Sequence, residues 1–170
     1  RSYRRNKVDW LEGAWAGLKA PPAEYQRGST AVPLEHVREI GLKMTDLPKE
    51  LSVHPRLKRV IGQRRKAIES GEGIDWATGE HLAFGSLLVE GFPVRLSGQD
   101  VGRGTFSQRH ATIYDQTTEE KYYPLMQLTA DQASFEVIDS FLSEEGVLGF
   151  EYGHSLADPN CLTLWEAQFG

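Results

Sequence analysis

Between Phe135 and Gln168 the chain reads FEVIDS, then SEEGVLGFEYGHS, then CLTLWEAQ. The outer stretches have the apolar and β-branched make-up of short strands, and the middle one, opened by Ser143, reads as a helix. Strand, helix and strand within about 33 residues constrain the fold tightly, to a right-handed βαβ unit with parallel strands. The predicted class is α/β, a mostly parallel sheet flanked by helices. One oddity sits inside the unit. Glu144 and Glu145 stand directly before an apolar, glycine-spaced run expected to be a buried helix, where desolvating a carboxylate is costly.

Upstream, PRLKRVIGQRRKAIES sets Leu57, Val60, Ile61 and Ile68 on one helical face. GEGID breaks that helix, and Asp75 can cap the next, WATGEHLAFGSLLVEG. There Trp76, Ala83, Leu87 and Leu88 align, and Gly91 ends the helix. PVRLSG follows as a strand. Earlier, PLEHVREIGLKM spaces Leu34, Val37, Ile40 and Met44 helically behind Pro33. PKELSVHP reads as extended, and LKAPPAEYQRGSTAVP as a loop or strap. Residues 1–70 thus read as a linker or arm that needs another surface, and residues 71–170 as a domain.

Charge divides at the same place. Residues 1–70 hold 15 Lys+Arg against 8 Asp+Glu, and residues 71–170 hold 4 against 16. With no continuous basic block and no base-stacking motif, this split favours a basic segment lying on acidic surface over a nucleic-acid arm. No apolar run approaches the roughly 20 residues of a membrane span. The opening RSYRRNKVDW has no following apolar stretch, so it does not read as a secretory signal. It lacks an initiator methionine, and the chain stops abruptly at WEAQFG, so both ends read as cut. A single cysteine, Cys161, excludes an intramolecular disulfide, and its apolar surroundings predict a buried, unreactive thiol in a reducing compartment.

In parallel sheets, ligands bind beyond the carboxyl ends of the strands. Three such ends carry Gly98–Gln99–Asp100, Leu142–Ser143–Glu144 and Glu166–Ala167–Gln168. Together they would form a hydrogen-bonding rim suited to a heteroaromatic ring, although spacing alone favours helix caps and solvated turns. GRGTFSQRH offers Arg103, Ser107, Arg109 and His110, but its glycine spacing is not a phosphate loop. A loop covering a ligand or meeting a neighbouring subunit is the better reading. The five histidines form no zinc pattern, and His81 and His154 read as surface or cap residues. No GxSxG elbow supports a serine hydrolase.

GIDWATGEHLAFGSLLVEGFPVRLSGQDVGRGTFSQRHATIYDQ, with SEEGVLGFEYG and LWEAQFG, closely resembles the thiamine-diphosphate-dependent dehydrogenase component of the 2-oxoglutarate dehydrogenase complex. KVDWLEGAWAGLKAP and IGQRRKAIESGEGIDW resemble the segment preceding this domain in the same family. The resemblance implies a transketolase-like pyrimidine-binding domain, truncated at its C-terminus. It implies that Glu144 contacts the aminopyrimidine ring nitrogen, that Gln99 and Gln168 lie beside the cofactor, and that Leu142 packs near its middle. The aromatic residue facing the pyrimidine in this family falls beyond Gly170.

By the same resemblance, Glu144 is the catalytic residue, a carboxyl that drives the aminopyrimidine toward its imino tautomer so that the thiazolium carbon can lose a proton. Burial would favour its protonated form and the helix N-terminus its charged form, and the residues leave open which prevails. The implied activity is decarboxylation of 2-oxoglutarate and succinyl transfer to a lipoyl-bearing succinyltransferase component. The diphosphate half of the site and its Mg2+ ligands are expected outside this segment, so the isolated fragment should be inert. A homodimer is implied, in bacterial cytoplasm or the mitochondrial matrix, without nucleic-acid or membrane partners. A non-catalytic docking or assembly module of the same fold is the alternative.

Overall fold

The computed structural model describes residues 13–20, 24 and 28–168. Expectations resting on RSYRRNKVDW, on parts of the strap and on the final Phe169 and Gly170 lie outside the described residues. In chain order the elements are helices α1 (Leu34–Met44), α2 (Pro55–Ser70) and α3 (Trp76–Val89), then strand β1 (Val94–Gly98). A two-stranded hairpin follows, β2 (Ile113–Tyr114) and β3 (Lys121–Tyr122), then β4 (Phe135–Asp139), α4 (Glu144–Ala157) and β5 (Leu162–Glu166).

The main sheet has the order β4-β1-β5 with both pairings parallel, so the fold is α/β as its sequence predicts. The βαβ unit straddles β1 instead of pairing its own two strands. Gly98 is in register with Asp139 on one side and Glu166 on the other, which brings all three carboxyl ends to one edge. As the middle strand, β1 buries Val94, Leu96, Ser97 and Gly98. Its half-buried Arg95 donates from Nε and Nη2 to the Glu151 carboxylate of α4, at 2.8 and 3.0 Å, and from Nη1 to Glu136 of β4.

One buried cluster joins Ile40 and Met44 of α1, Ile68 of α2, Leu82, Phe84 and Leu88 of α3, and Val94, Leu96 and Phe135 of the sheet. Leu88 is completely buried, which for a leucine is worth about 1.5–3 kcal/mol. Helices α1 and α3 meet closely because Gly85 carries no Cβ, which would otherwise stand 2.5 Å from Ile40 Cγ2.

The helix ends follow their sequence signals. Asp75 Oδ1 accepts from Thr78 N at 2.7 Å, Ser143 Oγ from Gly146 N at 3.2 Å, and Gly71 closes α2 at φ 78°. PKELSVHP makes a turn from Pro48 to Leu51 and then runs extended, pinned where Gln116 N donates to Ser52 O at 2.8 Å.

Four expectations are corrected. Trp76 and Ala83 do not face the core, since α3 buries Ala77, Thr78, His81, Leu82, Phe84, Gly85 and Leu88 instead. The helix is apolar nearly all round, so periodicity could not choose its inner face. His81 is consequently interior, not a surface or cap residue. Helix α4 is not buried either. It anchors through Val147 and Glu151, while Leu148, Phe150, Tyr152 and Leu156 remain outside. Cys161 is half-buried, and burial raises its thiol pKa. No helix among the described residues is long and apolar enough to cross a membrane.

Candidate functional site

The edge where β1, β4 and β5 end together is built by close approaches. A Cβ on Gly98 would stand 2.6 Å from the Glu166 carbonyl oxygen and 2.7 Å from Val101 Cγ1, so only glycine lets the β1 and β5 ends converge. Asp139, ending β4, accepts at Oδ1 from Gly102 N at 2.9 Å and so holds the loop that follows β1.

Onto this edge α4 projects Glu144 from its first turn, directly after the cap Ser143. Glu144 Oε1 accepts from the backbone N–H of Gln168 at 2.8 Å. Glu144 Oε2 is buried without a hydrogen-bond partner. A buried acceptor left unmatched is unfavourable, by roughly 1–3 kcal/mol and more if charged, so the arrangement suits an occupant that offers a hydrogen-bond partner. The neighbouring Glu145 is exposed. Gln168 reaches back through its side chain, whose Oε1 accepts from Thr105 Oγ1 at 3.0 Å.

Of the residues singled out from sequence, Glu144 and Gln168 are therefore bonded to each other. Leu142 lies at the same edge, half-exposed, in the turn before α4, with its N–H donating to Ser140 Oγ at 3.2 Å. Gln99 follows β1 and is exposed, with no hydrogen bond to Glu144 or Gln168. Among the described residues no group of three or more His, Cys, Asp or Glu is placed to hold a metal ion.

Behind the edge lies a charged cluster centred on Arg109, a residue the sequence offered only as part of a covering loop. Arg109 is almost fully buried. Its Nε donates to Glu80 Oε1 at 2.6 Å, its Nη1 to Val101 O at 3.1 Å and to Glu166 Oε1 at 3.0 Å, and its Nη2 to Glu80 Oε2 at 3.2 Å and to Glu166 Oε2. Burial works against the guanidinium's charge, but the bonds to Glu166 and Glu80 more than offset it and its pKa is raised. All its N–H groups are engaged within the protein, which leaves none for a phosphate.

Arg64 of α2 reinforces the cluster. Also buried, it donates to Arg109 O at 3.0 Å and to Gln108 O. Its Nη1 lies 3.4 Å from His81 Nδ1. A guanidinium only donates, so His81 accepts there and carries its own proton on Nε2. Burial and the charges of Arg64 and Arg109 depress the His81 pKa to about 3. His110 lines a small cavity with Arg64 and His81, and burial, aided by Arg64, lowers its pKa. A signal for Arg64 existed. It falls on the stripe of Leu57, Ile61 and Ile68, where a charge among apolar residues marks a buried cation.

A parallel sheet whose carboxyl edge gathers a helix-borne glutamate and a backbone donor has these groups where open α/β folds bind their ligands. The chain belongs to the transketolase pyrimidine-binding domain family, which matches residues 72–170. Along its full length it is 58% identical to the 2-oxoglutarate dehydrogenase E1 component of Brucella anthropi and 59% identical to that of Brucella ovis. It spans 17% of the length of each of these relatives.

Proposed function

We propose that this chain is the pyrimidine-binding part of a thiamine-diphosphate-dependent 2-oxoglutarate dehydrogenase that decarboxylates 2-oxoglutarate and transfers the succinyl group to lipoamide. The observation that carries the reading is Glu144, with one carboxylate oxygen satisfied by Gln168 N–H and the other buried without a partner. Identity to the named relatives supports the substrate. The family match starting at residue 72 supports taking residues 71–170 as the pyrimidine-binding domain, with residues 1–70 as a preceding arm whose α1 and α2 lie on its core.

When bound, thiamine diphosphate supplies a nucleophilic thiazolium carbon for attack on a 2-oxo group. Glu144 Oε2 would hold the proton shared with the aminopyrimidine ring nitrogen, while Gln168 N–H fixes the orientation of its carboxyl plane. Gln99, Gln168 and Leu142 would line the cofactor. The diphosphate and Mg2+ are held by residues outside this segment, so the chain alone is inactive. A lipoyl-bearing succinyltransferase component receives the product, and two copies of the full-length chain form the working dimer. A cytoplasmic or mitochondrial-matrix setting goes with this chemistry.

The test is Glu144→Gln in the full-length chain, following hydrogen–deuterium exchange at the thiazolium carbon of bound cofactor. Exchange should slow by about 10²–10⁴-fold, the usual worth of general acid–base help. Exchange at the wild-type rate with cofactor still bound would overturn the assignment, and a docking module without chemistry would replace it.

A further inference from the structure

We propose that Arg109 is a positioning residue for Glu144, acting through Glu166 and the backbone of β5. The inference rests on reading Glu144 as the cofactor-facing carboxyl. Arg109 grips the Glu166 carboxylate with two donors and Glu80 of α3 with two more. Glu166 is the last residue of β5, and two residues later the backbone N–H of Gln168 meets Glu144 Oε1 at 2.8 Å. The guanidinium therefore ties the end of β5 to α3, and among the described residues no other hydrogen bond joins the two.

The loop carrying Arg109 is itself held in an unfavourable shape. Ser107 and His110, on either side of Gln108 and Arg109, both have φ of 54°. Such conformations cost non-glycine residues about 1–3 kcal/mol and persist only where surroundings enforce them. Here Arg64 enforces them, by donating to the carbonyls of Gln108 and Arg109. Arg109 is thus paired with two carboxylates, Glu80 and Glu166, while Arg64 braces the loop that carries it. A buried ion pair adds little net stability over an apolar replacement, so its value lies in the geometry it imposes. That geometry is the placement of the Gln168 N–H that orients the Glu144 carboxyl.

Amide exchange tests this without turnover or cofactor. The full-length chain and its Arg109→Met, Arg109→Lys and Glu166→Gln variants are compared residue by residue, with Arg95→Lys as a control at the other ion cluster. Exchange at Gln168 should accelerate by about 10–100-fold in Arg109→Met, the equivalent of a lost charge-assisted hydrogen bond. Amides of β1 and α3 should stay protected. Arg109→Lys should give only partial rescue, because an ammonium cannot reproduce the two-pronged grip. Arg95→Lys should leave Gln168 unchanged.

If Arg109→Met loses protection throughout, Glu166→Gln decides, since it weakens the same grip with little change of volume. Wild-type protection of Gln168 in that variant overturns the proposal. So does loss spread evenly over β1, α3 and Gln168, which is the mark of a purely structural role. Selective loss at Gln168 supports it even if Glu144→Gln leaves the cofactor's exchange rate unaltered, so the two readings fail separately.

Discussion

At the scale of single residues, the molecule turns on groups whose surroundings contradict their chemistry. Glu144 presents a buried oxygen with nothing to bind, and His81 is a buried imidazole against the Arg64 guanidinium. For His81 the consequence is a pH dependence of folding. Its pKa is about 3 in the fold against the ordinary 6.5. The unfolded chain therefore gains the proton first as pH falls below 6.5. Stability owed to this group is intact above 6.5 and drains away toward 3, with a slope of up to about 1.4 kcal/mol per pH unit. Urea unfolding of the full-length chain between about pH 7 and pH 5 should show this loss, and His81→Gln should flatten it. An unchanged slope in that variant would assign the acid sensitivity elsewhere. Sequence alone misplaced His81 because an apolar helix offers no polar face to mark its outside.

At the scale of elements, glycines decide where strands and helices can meet. Gly98 and Gly62 make a matched pair for experiment. At Gly98 a methyl group would strike the Glu166 carbonyl oxygen and Val101, neither the flexible end of a long side chain. Gly98→Ala should destabilise the domain by about 1–3 kcal/mol, as overpacking does, and displace the end of β5. Gly62 lies inside α2, is exposed and has nothing within 4 Å of a new Cβ. Gly62→Ala should instead stabilise by about 0.5–1 kcal/mol through helix propensity. Thermal denaturation of the full-length variants reads both, and equal effects would contradict the packing described for β1 and β5. Strands and caps were legible because Asp75, Ser143 and the short apolar runs act locally. The inner face of α3 and the outward apolar face of α4 were not, because both depend on what packs against them.

At the scale of the whole molecule, an apolar stripe is left over. Leu148, Tyr152 and Leu156 follow one another at four-residue intervals along α4, all exposed, with Phe141 fully exposed before the helix. An apolar face of this kind marks an interaction surface. In the proposed dimer it would be covered by the second copy. A Leu148→Glu, Tyr152→Glu double variant of the full-length chain should then sediment as a monomer at micromolar concentration. A dimer that persists would put the subunit contact on another face.

The amino-acid sequence by itself determined the α/β class, the three parallel strands and the helix caps, and it singled out a first-turn glutamate and a glutamine after the last strand. These rest on local periodicity, on turn chemistry and on a long motif resemblance, all of which act along the chain. Only the tertiary structure decided that β1 lies between β4 and β5, that Arg64 and Arg109 are interior cations, and that Glu144 keeps one oxygen free. Those facts arise from groups 24 to 68 residues apart, from Glu144 and Gln168 to Val94 and Leu162. Burial and hydrogen bonding at such separations are set by packing, which no local pattern encodes.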